Sequence, residues 1–158
     1  MSARFAAAPM PDVRFRLLSD GDLNAVVKIE SEVYGFPWSA GNFRDSLCAG
    51  YRCWGCWHDD ELVGYAVLML AVDEAHLLNL AVAKPWQQRG IGRRLLHFMM
   101  AEARKHDCVM LYLEVRPTNS VALALYDSAG FRRLGLRRDY YPAVMGREDA
   151  LFLGTELI

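Results

Sequence analysis

Residues 74–115 read EAHLLNLAVAKPWQQRGIGRRLLHFMMAEARKHDCVMLYLEV, and this stretch decides the fold. Glu74–Ala83 is a mostly apolar run of strand length. Lys84–Gly92 is polar, carries Pro85, Gly90 and Gly92, and reads as a loop. The period then changes. Ile91, Leu95, Met99 and Ala103 recur every fourth residue with Leu96 and Met100 beside them, which predicts an amphipathic helix to about His106. From Cys108 the period becomes two. Val109, Leu111, Leu113 and Val115 share one face, and Met110, Tyr112 and Glu114 share the other.

Toward the amino end, Val13–Leu18 alternates as a strand, and Ser19 with Asp22 marks a helix start running to about Val33. Gly35-Phe36-Pro37-Trp38 breaks the chain, and Ser39 caps a second helix through about Leu47. Tyr51–His58 and Glu61–Val72 form a hairpin about Asp59-Asp60. Toward the carboxyl end, Thr118–Ala129 is a helix stopped by Gly130. Phe131–Arg138 and Glu148–Ile158 are closing strands around a loop of residues 140–146. The order of elements predicts a mixed α/β (α+β) single domain over residues 13–158, preceded by a loose tail, residues 1–12.

The chain has 158 residues, enough for one domain with a real core. With 18 Lys+Arg against 19 Asp+Glu, it is neither a basic nucleic-acid coat nor an acidic tail protein. No run approaches the ~20 apolar residues of a membrane span, and the first dozen residues lack a signal peptide's apolar segment, so a cytoplasmic location is expected. The Cys53-x-x-Cys56 pair has no second pair at ligand spacing, and on a strand it would point to opposite faces, so no metal site is expected. Among the basic residues only Lys28, Lys84 and Lys105 are lysines; the rest are arginines, the better forks for phosphate.

Two segments carry chemistry. In Gln87-Gln88-Arg89-Gly90-Ile91-Gly92-Arg93-Arg94, a glycine-containing loop opens a helix, where free N–H groups and the helix dipole suit an anion. The nucleotide P-loop fails for want of Lys after Gly92, and the dinucleotide loop fails because Leu95 stands at its third glycine. A Gln-x-x-Gly-x-Gly loop suited to a pyrophosphate remains, with Arg89, Arg93 and Arg94 about it. The second segment is Leu113-Glu114-Val115-Arg116-Pro-Thr-Asn119, then Ala122, Leu125-Tyr126 and Gly130-Phe131. A Glu114 carboxylate in mostly apolar surroundings would have a raised pKa and accept a proton near neutrality, and Tyr126 would donate one. Read singly, these residues also fit a surface glutamate, a core tyrosine and an ordinary strand-to-helix turn.

In this order and separation, the two segments resemble the GNAT superfamily of acetyl-CoA-dependent N-acetyltransferases. Phe36-Pro-Trp-Ser39, Asp73-Glu-Ala75, Leu113-Glu-Val-Arg116, Arg138-Asp-Tyr-Tyr-Pro142 and Gly146-Arg-Glu-Asp-Ala150 are similar to its bacterial RimI branch. Asp139 stands where that branch more often has Asn. The resemblance implies a central sheet of about seven strands flanked by about four helices. It implies acetyl-CoA as cosubstrate, with no metal. Its pantetheine would lie along Leu80, Ala81 and Val82, and its pyrophosphate on Gln88, Arg89, Gly90, Ile91, Gly92 and Arg93. Asn119 would hydrogen-bond the cofactor arm. Glu114 is the implied base and Tyr126 the implied acid in a direct transfer. The implied acceptor is the amino-terminal alanine of small-subunit ribosomal protein number eighteen, approached by a monomer without nucleic-acid binding. Phe36, Trp38, Tyr140 and Tyr141 would line the peptide groove. The α-amine suits such a base: its pKa near 7.7–8.0, against about 10.4 for lysine, makes its deprotonation at pH 7 cost about 1 rather than 4–5 kcal/mol. Acetylation of lysines or small amines by the same scaffold, and a non-catalytic acyl-CoA-binding module, are the alternative readings.

Overall fold

A computed structural model describes residues 10–158. The expected period changes become β4 (Glu74–Val82), α3 (Ile91–Lys105) and β5 (Met110–Val115), a parallel strand–helix–strand unit at the centre of the molecule. Around it stand β1 (Arg14–Leu17), α1 (Leu23–Val33), α2 (Ala40–Cys48), β2 (Arg52–His58), β3 (Glu61–Ala71), α4 (Ser120–Ser128), β6 (Arg132–Pro142) and β7 (Arg147–Glu156). The seven strands make one sheet in the order β1-β2-β3-β4-β5-β7-β6, in which only β4 and β5 run parallel. The expected architecture, a mixed sheet of seven strands with four helices, is what forms.

Helices cover both faces. Ile91, Leu95, Leu96 and Met99 of α3 are buried against Val63, Leu68, Leu111 and Leu113 of the sheet. On the opposite face α1 and α2 bring Leu23, Val26, Ile29 and Phe43 against Cys53, Tyr65 and Val67. Burying such an aliphatic side chain contributes about 1.5–3 kcal/mol. Cys53 and Cys56 fall in different cores, as an offset of three along a strand requires, and both are free thiols.

The capping residues act as expected. Ser19 N–H donates to the Asp22 carboxylate at 2.8 Å. Ser39 Oγ accepts from Asn42 N–H at 3.1 Å at the start of α2. Gly130 closes α4 with φ of +92° while Phe131 N–H returns to Tyr126 C=O.

Two readings of the sequence change. Strand β6 runs to Pro142, so Asp139–Pro142 belong to a strand and not to the loop expected at residues 140–146. The register slips between Arg137 and Tyr141, with Asp139 at φ of +52°, and a bulge of this kind hides a strand's continuation from its pattern. Of the expected amino-terminal tail, residues 1–9 lie outside the described residues. Residues 10–12 are held: Pro11 C=O accepts from Arg94 Nη1 at 3.0 Å, and Asp12 C=O lies 2.8 Å from His58 Nδ1.

Burial pushes the Cys53 and Cys56 thiols from their ordinary 9 up to about 11. The unfolded chain therefore loses these protons first, and the stability they lend is complete below pH 9 and lost as pH rises to about 11. Thermal melts should show a midpoint that falls over that window, and a variant with alanine at both positions should fall less steeply.

Candidate active site

Strands β4 and β5 pair from Glu74/Met110 to Leu77/Leu113 and then separate, although β4 continues to Val82 and β5 to Val115. The separation begins at a bulge. Val67 pairs with Asn79 and Leu68 with Leu77, so Leu78 has no partner on β3. An extra residue bends and twists a strand, here where β4 leaves β5. Beyond it, β4 has one paired edge and one open edge. Ala83 N–H donates to Val63 C=O, so by antiparallel alternation Ala81 also turns its backbone groups to β3, while Leu80 and Val82 turn theirs to the opening. Accordingly Leu80 C=O accepts from Tyr34 Oη–H, and Val82 C=O accepts from Gln87 Nε2 at 2.9 Å. Of the three expected cofactor-strand residues, then, Leu80 and Val82 turn backbone to the opening and Ala81 turns it to β3.

At the end of β4 the loop 87–90 turns into α3. Gln88 (φ +61°) and Gly90 (φ +81°) are both left-handed. Gly90 requires this freedom, and a Cβ there would also meet the Met10 side chain at 2.8 Å. The first helical bond is Arg94 N–H to Gly90 C=O, leaving the N–H groups of Ile91, Gly92 and Arg93 without helical partners. This donor set fits a pyrophosphate. Arg93 is exposed at this end, and Arg89 lies with its guanidinium carbon 5.0 Å from the Trp86 ring centre. Arg94 corrects the sequence reading. Its guanidinium donates to Pro11 C=O and sits 6.0 Å from the Phe15 ring centre, engaged with the amino-terminal segment. Asn119 caps α4, its Oδ1 accepting from Ala122 N–H at 3.2 Å, which leaves its amide nitrogen able to donate.

Glu114 stands on β5 just past the parting of the strands. The apolar setting expected for it is instead ionic. One carboxylate oxygen forms an ion pair with Arg137, 3.1 Å from its Nε, and the other is bonded to His76 Nε2, with the Glu114 side chain 9% exposed. Arg137 also lies 5.3 Å from the Phe152 ring centre. Tyr126, from α4, is buried, and burial pushes its hydroxyl up to about 12. Tyr34, which donates to Leu80 C=O, stands at the opening between β4 and β5. Burial raises the pKa of Tyr34 and Tyr141 as well.

The expected groove aromatics divide. Trp38 is half-buried against Phe43, ring centres 5.2 Å apart, and its N–H donates to Glu30. Phe36 is 44% exposed, and Tyr140 packs edge-on against Tyr141. Three residues about the opening were not read as site residues from sequence: Glu30, His76 and Arg137. Glu30 is 2% exposed and accepts from Tyr65 Oη and from Asn79 Nδ2, tying α1 to the strand that carries Leu80. A charged residue on an otherwise apolar helical stripe was the available signal. Among the described residues no cluster of His, Cys, Asp and Glu could hold a metal, and no helix is long and apolar enough to cross a membrane.

Residues 23–131 match the acetyltransferase (GNAT) family. The chain is 39% identical over 141 residues to a [ribosomal protein bS18]-alanine N-acetyltransferase of Salmonella typhimurium, covering 89% of this chain and 95% of that protein. It is 38% identical over 140 residues to the enzyme of that name from Escherichia coli K12, covering 89% and 95%. A crystal structure of the ribosomal-protein-S18-alanine N-acetyltransferase from Escherichia coli superposes with TM-score 0.86 and 35% identity over 92% of this chain and 94% of that one. The yncA acetyltransferase of Salmonella typhimurium, solved with acetyl-CoA, shares the fold at TM-score 0.75 and 18% identity, covering 92% of this chain and 94% of that one. This chain belongs to the GNAT family of acetyltransferases and, within it, to the RimI branch.

Proposed function

We propose that the protein transfers the acetyl group of acetyl-CoA to the amino-terminal alanine of ribosomal protein S18. The observation that carries this reading is the opening between β4 and β5, with Glu114 on β5 just past the point where the strands part. The bound cosubstrate supplies an acetyl group activated as a thioester. Leu80 and Val82 hold its arm along the open edge of β4. The N–H groups of Ile91, Gly92 and Arg93 hold its pyrophosphate, and Asn119 lends its amide. A ribosomal-protein acceptor places the activity in the cytoplasm.

The transfer is direct. The acceptor nitrogen bonds to the acetyl carbon as the carbon–sulfur bond breaks. Glu114 takes the proton released by the amine, through water, and Tyr126 returns one to the departing sulfur. Arg137 and His76 fix the two oxygens of Glu114, which sets the direction in which it accepts.

Incubating S18, or its amino-terminal peptide, with the enzyme and acetyl-CoA should add one acetyl group by intact mass. A competing lysine-bearing peptide should be modified far more slowly; no gain on S18 under conditions that consume cosubstrate would remove this acceptor. Glu114→Gln should lower kcat about 10²–10⁴-fold, the range of general acid–base catalysis, with cofactor affinity retained. Tyr126→Phe should lower kcat with a similar lack of effect on cofactor binding. Because Tyr126 holds its proton up to about 12, kcat should not fall through its ionisation between pH 7 and 10. A basic limb in that range which Tyr126→Phe abolished would overturn the assignment.

A further inference from the structure

Arg116 follows the end of β5 directly, two residues beyond Glu114. Its guanidinium carbon lies 5.3 Å from the ring centre of Phe36, in the loop between α1 and α2, and 4.4 Å from that of Tyr141, on β6. Both are within cation–π range. Its Nη1 donates to Pro142 C=O at 2.8 Å and to Glu148 Oε2 at 3.2 Å. Glu148 is itself held. Its other oxygen accepts from Thr118 Oγ1 at 2.7 Å, and the Thr118 hydroxyl, then Arg116, keep its pKa below the usual carboxylate range. One side chain thus joins three elements that meet at the cleft: the α1–α2 loop, the end of β5 and the β6–β7 hairpin.

We propose that Arg116 is a specificity-determining residue. Resting on the acceptor reading above, it clasps the Phe36 loop to the β6–β7 hairpin across the mouth of the cleft over Glu114. A cleft left open along its length would admit an amine carried anywhere on a polypeptide. Bridged at its mouth, it admits a chain end threaded past Phe36 and Tyr141, and it excludes a lysine whose backbone continues on both sides. The guanidinium suits this task, because it is broad enough to lie within cation–π reach of both rings while its Nη1 donates to Pro142 C=O and Glu148; an ammonium is a compact point charge.

The test compares wild type with Arg116→Lys, Arg116→Ala and Phe36→Ala. The first keeps the charge, and the last removes one stacking partner without touching the arginine. Hydrogen exchange at residues 35–38 and 143–147 should quicken together in all three. KM for an alanine-terminated peptide should rise about tenfold with the Kd for CoA unchanged. A peptide of the same length with a blocked amino end and one internal lysine should become a substrate. Unchanged exchange at residues 35–38 in both arginine variants, or full retention of peptide KM and selectivity, would overturn the clasp. The exchange measurement needs no substrate. Failure of the wild-type enzyme on the alanine peptide would therefore count against the acceptor alone.

Discussion

A strand inside a sheet that loses its neighbour leaves a row of buried or half-buried N–H and C=O groups to be matched, and the rest of this protein is arranged around that debt. Past Leu77, β4 no longer pairs with β5. Two of the exposed carbonyls are met by side chains, Leu80 by Tyr34 and Val82 by Gln87. Each of those side chains comes from a segment that also frames the cleft: Tyr34 from the end of α1, and Gln87 from the loop that opens α3. The sheet defect, the aromatic wall and the anion loop are therefore one construction.

Buried polar groups hold that construction in place. Glu30 joins α1, Trp38, Tyr65 and Asn79, and it fixes the helix that delivers Tyr34 against the strand that delivers Leu80. Arg137 crosses from the sheet edge to Glu114, and Arg116 crosses to the Phe36 loop. The arginine excess in the composition thus acquires specific addresses. Arg94, which lies beside the anion loop in sequence, serves the amino-terminal segment instead. Interactions with one buried partner are costly to break, because the surviving group is left unpaired in a poorly polar setting.

Much of this was legible from residue order. The four-residue period from Ile91 to Ala103 marked α3, and the two-residue period from Val109 to Val115 put Glu114 on the face opposite the α3 core. Ser39, Gly90 and Gly130 marked the ends where capping and left-handed geometry are local matters. The loop 87–92 was readable because its donors are adjacent in the chain. The length of β6 was not, because a bulge at Asp139 interrupts the alternation on which a strand is read.

The environment of Glu114 shows the division most clearly. The sequence by itself determined the elements, their order, the face on which Glu114 lies and the loop that opens α3, since each depends on neighbours within about one helical turn or two strand residues. Only the tertiary structure decided that Arg137 and His76 hold the carboxylate, that Tyr34 reaches the Leu80 carbonyl, that Ala81 turns away, and that Arg116 lies against Phe36 and Tyr141. The side-chain encounters among them join residues 23 to 80 positions apart, and they follow from the register of the sheet and the bulge at Leu78, which no periodicity records.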